Sequence, residues 1–292
     1  MRPVAIGRFA RHLADDALTA SDTSRRINAE RLVLIGWTRA ILLQLAHPLI
    51  AAGVSDHSTF RGGTVASLSR LHHTVNAMLA ITFGDEGERA RALDAIGAIH
   101  RRVHGTLPAA CGRFPAGTPY SAEDPALLLW VHATLIDSIL RVYDRFVAPL
   151  SETERDRYCA DSADVAIALG ARADEVPRGW RELQAYIDRE YEASSIAVSG
   201  QARTLAAALL SPVSGRAAAP LTALATLLAA GLLPAQVRRD YGFVWNRRRE
   251  RAFNMTVRVL RLARRELPHV ITWWPQARSW SRSARPVAPR SG

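Results

Sequence analysis

The sequence contains no lysine: all 38 of its Lys/Arg positions are arginine. Alanine is inflated as well, and the pair suggests codon bias from a GC-rich genome. The charge is real all the same, a formal +11 that attracts phosphate or anionic lipid. Aromatic residues make up only 7%, and β-branched residues are sparse beside Leu and Ala, which favours helices over sheets. The two cysteines, Cys111 and Cys159, form no CxxC pair, so a disulfide framework is not indicated and a reducing compartment is expected. No CxxCH is present, which excludes covalent c-type haem attachment. No helix-turn-helix, zinc-finger or stacking-platform pattern accompanies the charge, so no nucleic-acid partner is expected. A cleavable signal peptide and internal repeats are also lacking, and the expected localisation is cytoplasmic, with membrane association left open.

What is present is a run of amphipathic helical patterns. They are read over 28–52 (with Pro48 kinking or ending it), 64–83, 88–104, 126–149, from the capping box Ser151–Glu154, then 178–193, 201–210, 221–233 and 234–266. Gly53 to Gly63 reads as a glycine-rich loop, and the segment after Pro275 as disordered. The fold class is therefore all-α, a single multi-helix domain over 30–270, with an N-terminal segment 1–29 and a tail 271–292. Two uncharged stretches, 40–54 and 217–237, bear on membrane contact. Both read as buried core helices, although the second has Trp273 and Trp274 as candidate interfacial anchors. Arg247, Arg248, Arg249, Arg251, Arg258, Arg261, Arg264 and Arg265 cluster late in the chain and read as a solvated helix face.

Nine histidines occur, seven of them between His47 and His132, and any one alone is more often structural than a ligand. His100 and His104 are four apart near the end of one expected helix. The stretch reads His100-Arg-Arg-Val-His104, without the glutamate that zincin chemistry needs, and a histidine in an apolar bundle can equally be an axial haem ligand. Arg70 and Thr74 share a helix face and could hold a propionate or a substrate oxygen. A surface arginine and a threonine bonded back to its own helix fit the same spacing. His132 sits on the apolar helix after Trp130, where a bonded core histidine is the plain alternative to a ligand-side role, and Asp137 could satisfy a buried donor.

Several strings in order resemble one family. They are Gln44-Leu-Ala-His-Pro48, Gly53-Val-x-Asp-His57-Ser58, Arg70-Leu-x-x-Thr74, Phe83-Gly84, His100-x-x-Val103-x-Gly105, Tyr120-x-Ala-x-Asp124-Pro125 and Trp130-Val-His132-Ala-Thr-Leu-x-Asp137-Ser138. Over about residues 30–270 the chain is similar to the MpaB/latex-clearing-protein oxygenase domain. That resemblance implies a globin-like helical core around haem b, dioxygen as co-substrate, and cleavage of a carbon–carbon double bond in an apolar, isoprenoid-like substrate. It implies His100 as the axial metal ligand and Arg70 with Thr74 on the distal side. The residue before that threonine, a possible sixth ligand, is His73 here where the family has lysine. The family's distal carboxylate has no clear match, and Asp56 is the nearest candidate. His132 joins the cofactor-binding set. A haem sensor or carrier without turnover, and a metal-free protein of membrane surfaces, are the other functions the residues allow. The oligomeric state is not legible.

Overall fold

The structure, a computed structural model, describes residues 20–57, 63–210 and 219–283, and side chains within the second stretch from residue 72 onward. The described residues form fourteen α-helices and one two-stranded hairpin, in agreement with the all-α expectation. The first five helices are α1 Asp22–Ala29, α2 Leu34–Leu45, α3 Pro48–His57, α4 Gly63–Phe83 and α5 Glu86–His100. The hairpin, β1 His104–Thr106 with β2 Pro119–Ser121, leads into α6 Pro125–Val142, α7 Glu152–Ala168 and α8 Trp180–Glu192. The remainder are α9 Gly200–Leu210, α10 Ala219–Leu232, α11 Ala235–Asp240, α12 Arg247–Glu266, α13 His269–Thr272 and α14 Pro275–Ser283.

The centre is the antiparallel pair α2 and α6. Its register is fixed where Trp130 Nε1 donates to the Leu43 carbonyl at 3.3 Å and Arg39 Nη1 to Ser138 Oγ at 2.6 Å. Gly36 makes the close approach possible, since a Cβ there would lie 2.8 Å from the Ser138 carbonyl oxygen. Helices α7 and α8 pack on the far flanks of α6, and α10 and α9 on α2. Helix α6 with the π turn after it, 125–147, is long and apolar enough to cross a membrane, yet 72% of its most apolar 18-residue stretch is buried inside the protein, so packing accounts for its composition.

Local signals place many boundaries. Asp85 with Glu88, and Ser151 with Glu154, close reciprocal capping boxes at α5 and α7. Asp124 caps α6 ahead of Pro125. Four expectations are corrected. The break expected at Pro48 is present, and Pro48 opens a new helix because the first helical turn needs no N–H there, but the loop expected from Gly53 begins as helix. The chain bends by 104° between 31–45 and 48–57, and α3 runs through Gly53 to His57. The expected helix 234–266 is two, since Gly242 takes φ +77 and Asn246 caps a new start. The helix ending in His100 does not reach His104, which opens β1. After Pro275 the chain forms α14 rather than a disordered tail, with Ala277 fully buried and Trp280 beside Phe83. Residues 1–19 and 284–292 of the expected terminal segments lie outside the described residues.

Trp273 is also not a free interfacial anchor. Its Nε1 donates to Glu30 at 2.7 Å, and Arg264 grips the same buried carboxylate with two nitrogens. Trp274 lies under Arg31 and packs on the main core.

Candidate functional site

Helices α4 and α5 form a hairpin that stands away from α6 and α7, and a cavity of about 1310 Å³ lies between the two pairs. Its walls follow from helical periodicity. Glu88, Arg91/Ala92, Ala95/Ile96 and Ile99/His100 recur on one face of α5, and Val131/His132, Leu135/Ile136 and Ile139 on one face of α6. On α7 the lining residues are Tyr158, Asp161/Ser162, Val165 and Leu169. The inward face of α5 carries small or apolar residues that are nevertheless not buried: Arg89 is the only buried residue of that helix, and Ile99 is 62% exposed. That face therefore lacks apolar cover of its own and borders the cavity.

Four of the sequence-derived candidates meet here. His100, His132, His73 and Thr74 all line the cavity. His73 and Thr74 are exposed at its mouth. His100 is half-buried, with its Nδ1 buried and without a hydrogen-bond partner, which leaves Nε2 as its open nitrogen. Burial lowers its pKa, against a smaller upward pull from Glu123. His132 lies deeper. Neither of its ring nitrogens is sealed and neither has a hydrogen-bond partner among the described residues, so the ring opens onto the cavity. Burial pushes its pKa down to about 4, and the imidazole is neutral at physiological pH. Among the described residues no backbone carbonyl holds it, in contrast to the plain alternative weighed from the sequence.

The other candidates lie elsewhere. Asp56 is outside the cavity lining and accepts a 2.6 Å hydrogen bond from Tyr120, whose phenol is pushed up by burial and by that carboxylate. Arg70 is on α4, four residues before Thr74, but its side chain lies outside the described residues. His104 is exposed, and its carbonyl lies 2.9 Å from His57 Nε2, so the HxxxH spacing makes no joint site. His47 is buried against Phe114 (ring centroids 5.1 Å apart), and burial, with Arg113 nearby, lowers it to about 4. Among the described residues no three His, Cys, Asp or Glu side chains cluster as a metal site.

Sequence reasoning missed the polar wall at the other end of the cavity. Tyr158 donates to Asn28 Oδ1 at 2.7 Å, Asn28 Nδ2 to Thr82 at 3.2 Å, and Ser24 to Asp161 at 2.6 Å. These residues come from α1, α4 and α7 and share no local motif. His73 and Thr82 are nine residues apart on α4, so about 13 Å of helix separates the histidine end from this polar end.

Comparison with known proteins gives a consistent picture. The profile described as "ER-bound oxygenase mpaB/B'/Rubber oxygenase, catalytic domain" matches residues 24–262. Two uncharacterized proteins, one of Mycobacterium bovis and one of Mycobacterium tuberculosis, are each 28% identical to the chain over 240 residues, covering 78% of it and 88% of their own length. No solved structure matches.

Proposed function

The chain belongs to the ER-bound oxygenase mpaB/B'/rubber oxygenase catalytic-domain family, and on that premise we propose that it is a haem b-dependent oxygenase. Its substrate would be an apolar, unsaturated molecule of isoprenoid type, cleaved with dioxygen at a carbon–carbon double bond to give two carbonyl groups. One observation carries the haem assignment: His100 presents an open Nε2, with Nδ1 sealed, to a large and mainly apolar cavity.

The residues present fit the group. A neutral imidazole is the form that binds iron, and burial keeps His100 in that form. The cavity exceeds the 300–1,000 Å³ typical of small-ligand pockets, which suits a flat prosthetic group together with a substrate. Haem b, when bound, supplies the dioxygen chemistry; the protein supplies the ligand, the orientation and the exclusion of water. His100 holds the group from the end of α5. His132, neutral and open on α6, can accept a hydrogen bond from an occupant. His73 and Thr74 sit at the mouth, where Thr74 with Arg70 would orient polar atoms. The Leu, Ile and Ala faces of α5 and α6 bind an alkene by burial, since an alkene has no polar handle.

The test is the absorption spectrum of the protein titrated with hemin, beside His100→Ala and His132→Leu. We expect a Soret band in the wild type and a tenfold or greater loss of hemin affinity in His100→Ala. Equal hemin binding by wild type and His100→Ala would refute the ligand assignment. No binding by either would remove the haem reading altogether.

A further inference from the structure

At the C-terminal end of α6, away from the cavity, a second pocket of about 480 Å³ is walled by Arg141, Arg145, Arg258 and Arg261. The apolar part of its wall is Leu232 of α10 and Val257 of α12, and its one acid is Asp144. Asp144 is already committed, accepting from Arg155 at 2.7 Å and from the Leu150 backbone N–H at 2.9 Å. Arg141 is likewise engaged, by Asp137. The other three guanidinium groups have no carboxylate partner among the described residues. Arg145 donates to the neutral Asn254 at 2.9 Å and lies over Phe253, and Arg261 keeps a buried Nε with no hydrogen-bond partner. The π turn at Tyr143–Val147 brings Arg145 to this wall, and such turns often mark functional positions.

Cationic groups gathered without counter-charge, one with an orphaned buried donor, form an anion site. The surface beside it says which anion. Met255, Val259 and Leu262 on α12 are 58%, 55% and 58% exposed, although large apolar side chains usually find cover. With Arg258 they follow i, i+3, i+4, i+7 spacing, so the arginine rises from the same helix face as the apolar stripe. A soluble phosphate would use the arginines and leave the stripe in water. A phospholipid headgroup uses both, its phosphate in the pocket and the acyl boundary against the stripe.

We infer that this pocket binds the phosphate of an anionic phospholipid and seats α12 on a membrane surface. The inference is independent of the haem reading and stands or falls without it.

The experiment is co-sedimentation of the full chain with vesicles of phosphatidylcholine alone and of phosphatidylcholine mixed with phosphatidylglycerol. We expect binding to the mixed vesicles only. Arg258→Gln with Arg261→Gln should weaken it roughly 25-fold, at about fivefold per arginine near an anionic surface. Met255→Ser with Val259→Ser should weaken it further at unchanged charge. Arg172→Gln with Arg181→Gln removes the same charge elsewhere, and unfolding curves confirm that each variant is folded. Equal loss in that control pair would overturn the pocket in favour of general attraction by net charge. Absence of vesicle binding, with glycerol 1-phosphate raising the unfolding temperature of wild type but not of Arg258→Gln/Arg261→Gln, would overturn the bilayer in favour of a soluble phosphate.

Discussion

His132 and Asp137 are five residues apart on α6, both deep in the protein, and the interior treats them in opposite ways. His132 faces an open cavity with no hydrogen-bond partner among the described residues, and burial discharges it, bringing its pKa to about 4. Asp137 faces the α2 side, where burial alone would also discharge it. There the guanidinium groups of Arg39 and Arg141, with Gln184, reverse that tendency and hold its carboxyl below the usual range. Arg39 in turn donates to the Leu232 carbonyl at 2.8 Å and to Ser138. A saturated set of partners makes a buried charge into a structural tie; the lack of any makes a buried base into a neutral, available ligand or acceptor. One helix thus carries both the tie between the central pair and a wall of the cavity.

The largest expected effect comes from breaking the tie. Asp137→Ala leaves Arg39, whose side chain is 4% exposed, as an uncompensated buried charge, and should cost about 3–5 kcal/mol in urea unfolding. A loss below about 1 kcal/mol would mean that water reaches Arg39.

Acid sharpens the contrast. In protein without added hemin, unfolded His132 and His47 take up protons below their ordinary pKa of 6.5, while their native forms resist until about pH 4. The unfolded state therefore binds more protons in that window, and stability falls as pH drops through it, by about 3 kcal/mol for each histidine. His132→Leu should remove its own share, about 3 kcal/mol, while leaving neutral-pH stability unchanged or slightly higher; His100, lowered in the same direction, and His47 keep theirs. Asp137 has the reverse timing: its contribution is intact above the ordinary carboxylate pKa and is lost only at more acid pH, as its lowered native pKa is crossed. Unfolding curves from pH 7 to 3 separate the two, and a flat profile between 6.5 and 4 would contradict the neutral, buried state of both histidines.

The smallest effect should come from an ion pair that lies in water. Arg181 and Glu152 are 2.7 Å apart, with side chains 85% and 56% exposed, so Arg181→Gln should change stability by less than about 0.5 kcal/mol. A larger loss would mean that exposure does not separate the tie at Asp137 from an ordinary surface contact.

Much of this was legible along the chain. Ser151–Glu154 and Asp124–Pro125 mark their helix starts by local chemistry, and the order of motifs gave the family and brought His100, His73, Thr74 and His132 to one cavity. What stayed hidden depends on contacts distant in sequence. Nothing near Asp137 names Arg39, which reaches it only because Gly36 lets two helices touch. Asn28, Thr82 and Tyr158 become a polar chain only when three helices meet. The misreadings were local conflicts decided by tertiary structure. Helical spacing suggested that His104 continued α5, but pairing of β1 with β2 takes the chain from His104 onward. The composition after Pro275 suggested disorder, but Ala277 and Trp280 find cover against α1 and α4.

The grip of Arg264 and Trp273 on Glu30 also sets an order of events during synthesis. Glu30 is made 234 residues before Arg264 and 243 before Trp273. At typical translation rates that interval is about 10–50 seconds, during which a carboxylate destined for the interior has no counter-charge. Helix α1 contributes Ser24 and Asn28 to the cavity wall and can bond to Asp161 and Tyr158 of α7 early, but Glu30 at its end gains its partners only once α12 and α13 have left the ribosome. The carboxylate at the end of α1 thus joins the chamber wall to the late helices, so that end of the wall gains its ion pair only after α12 has been made.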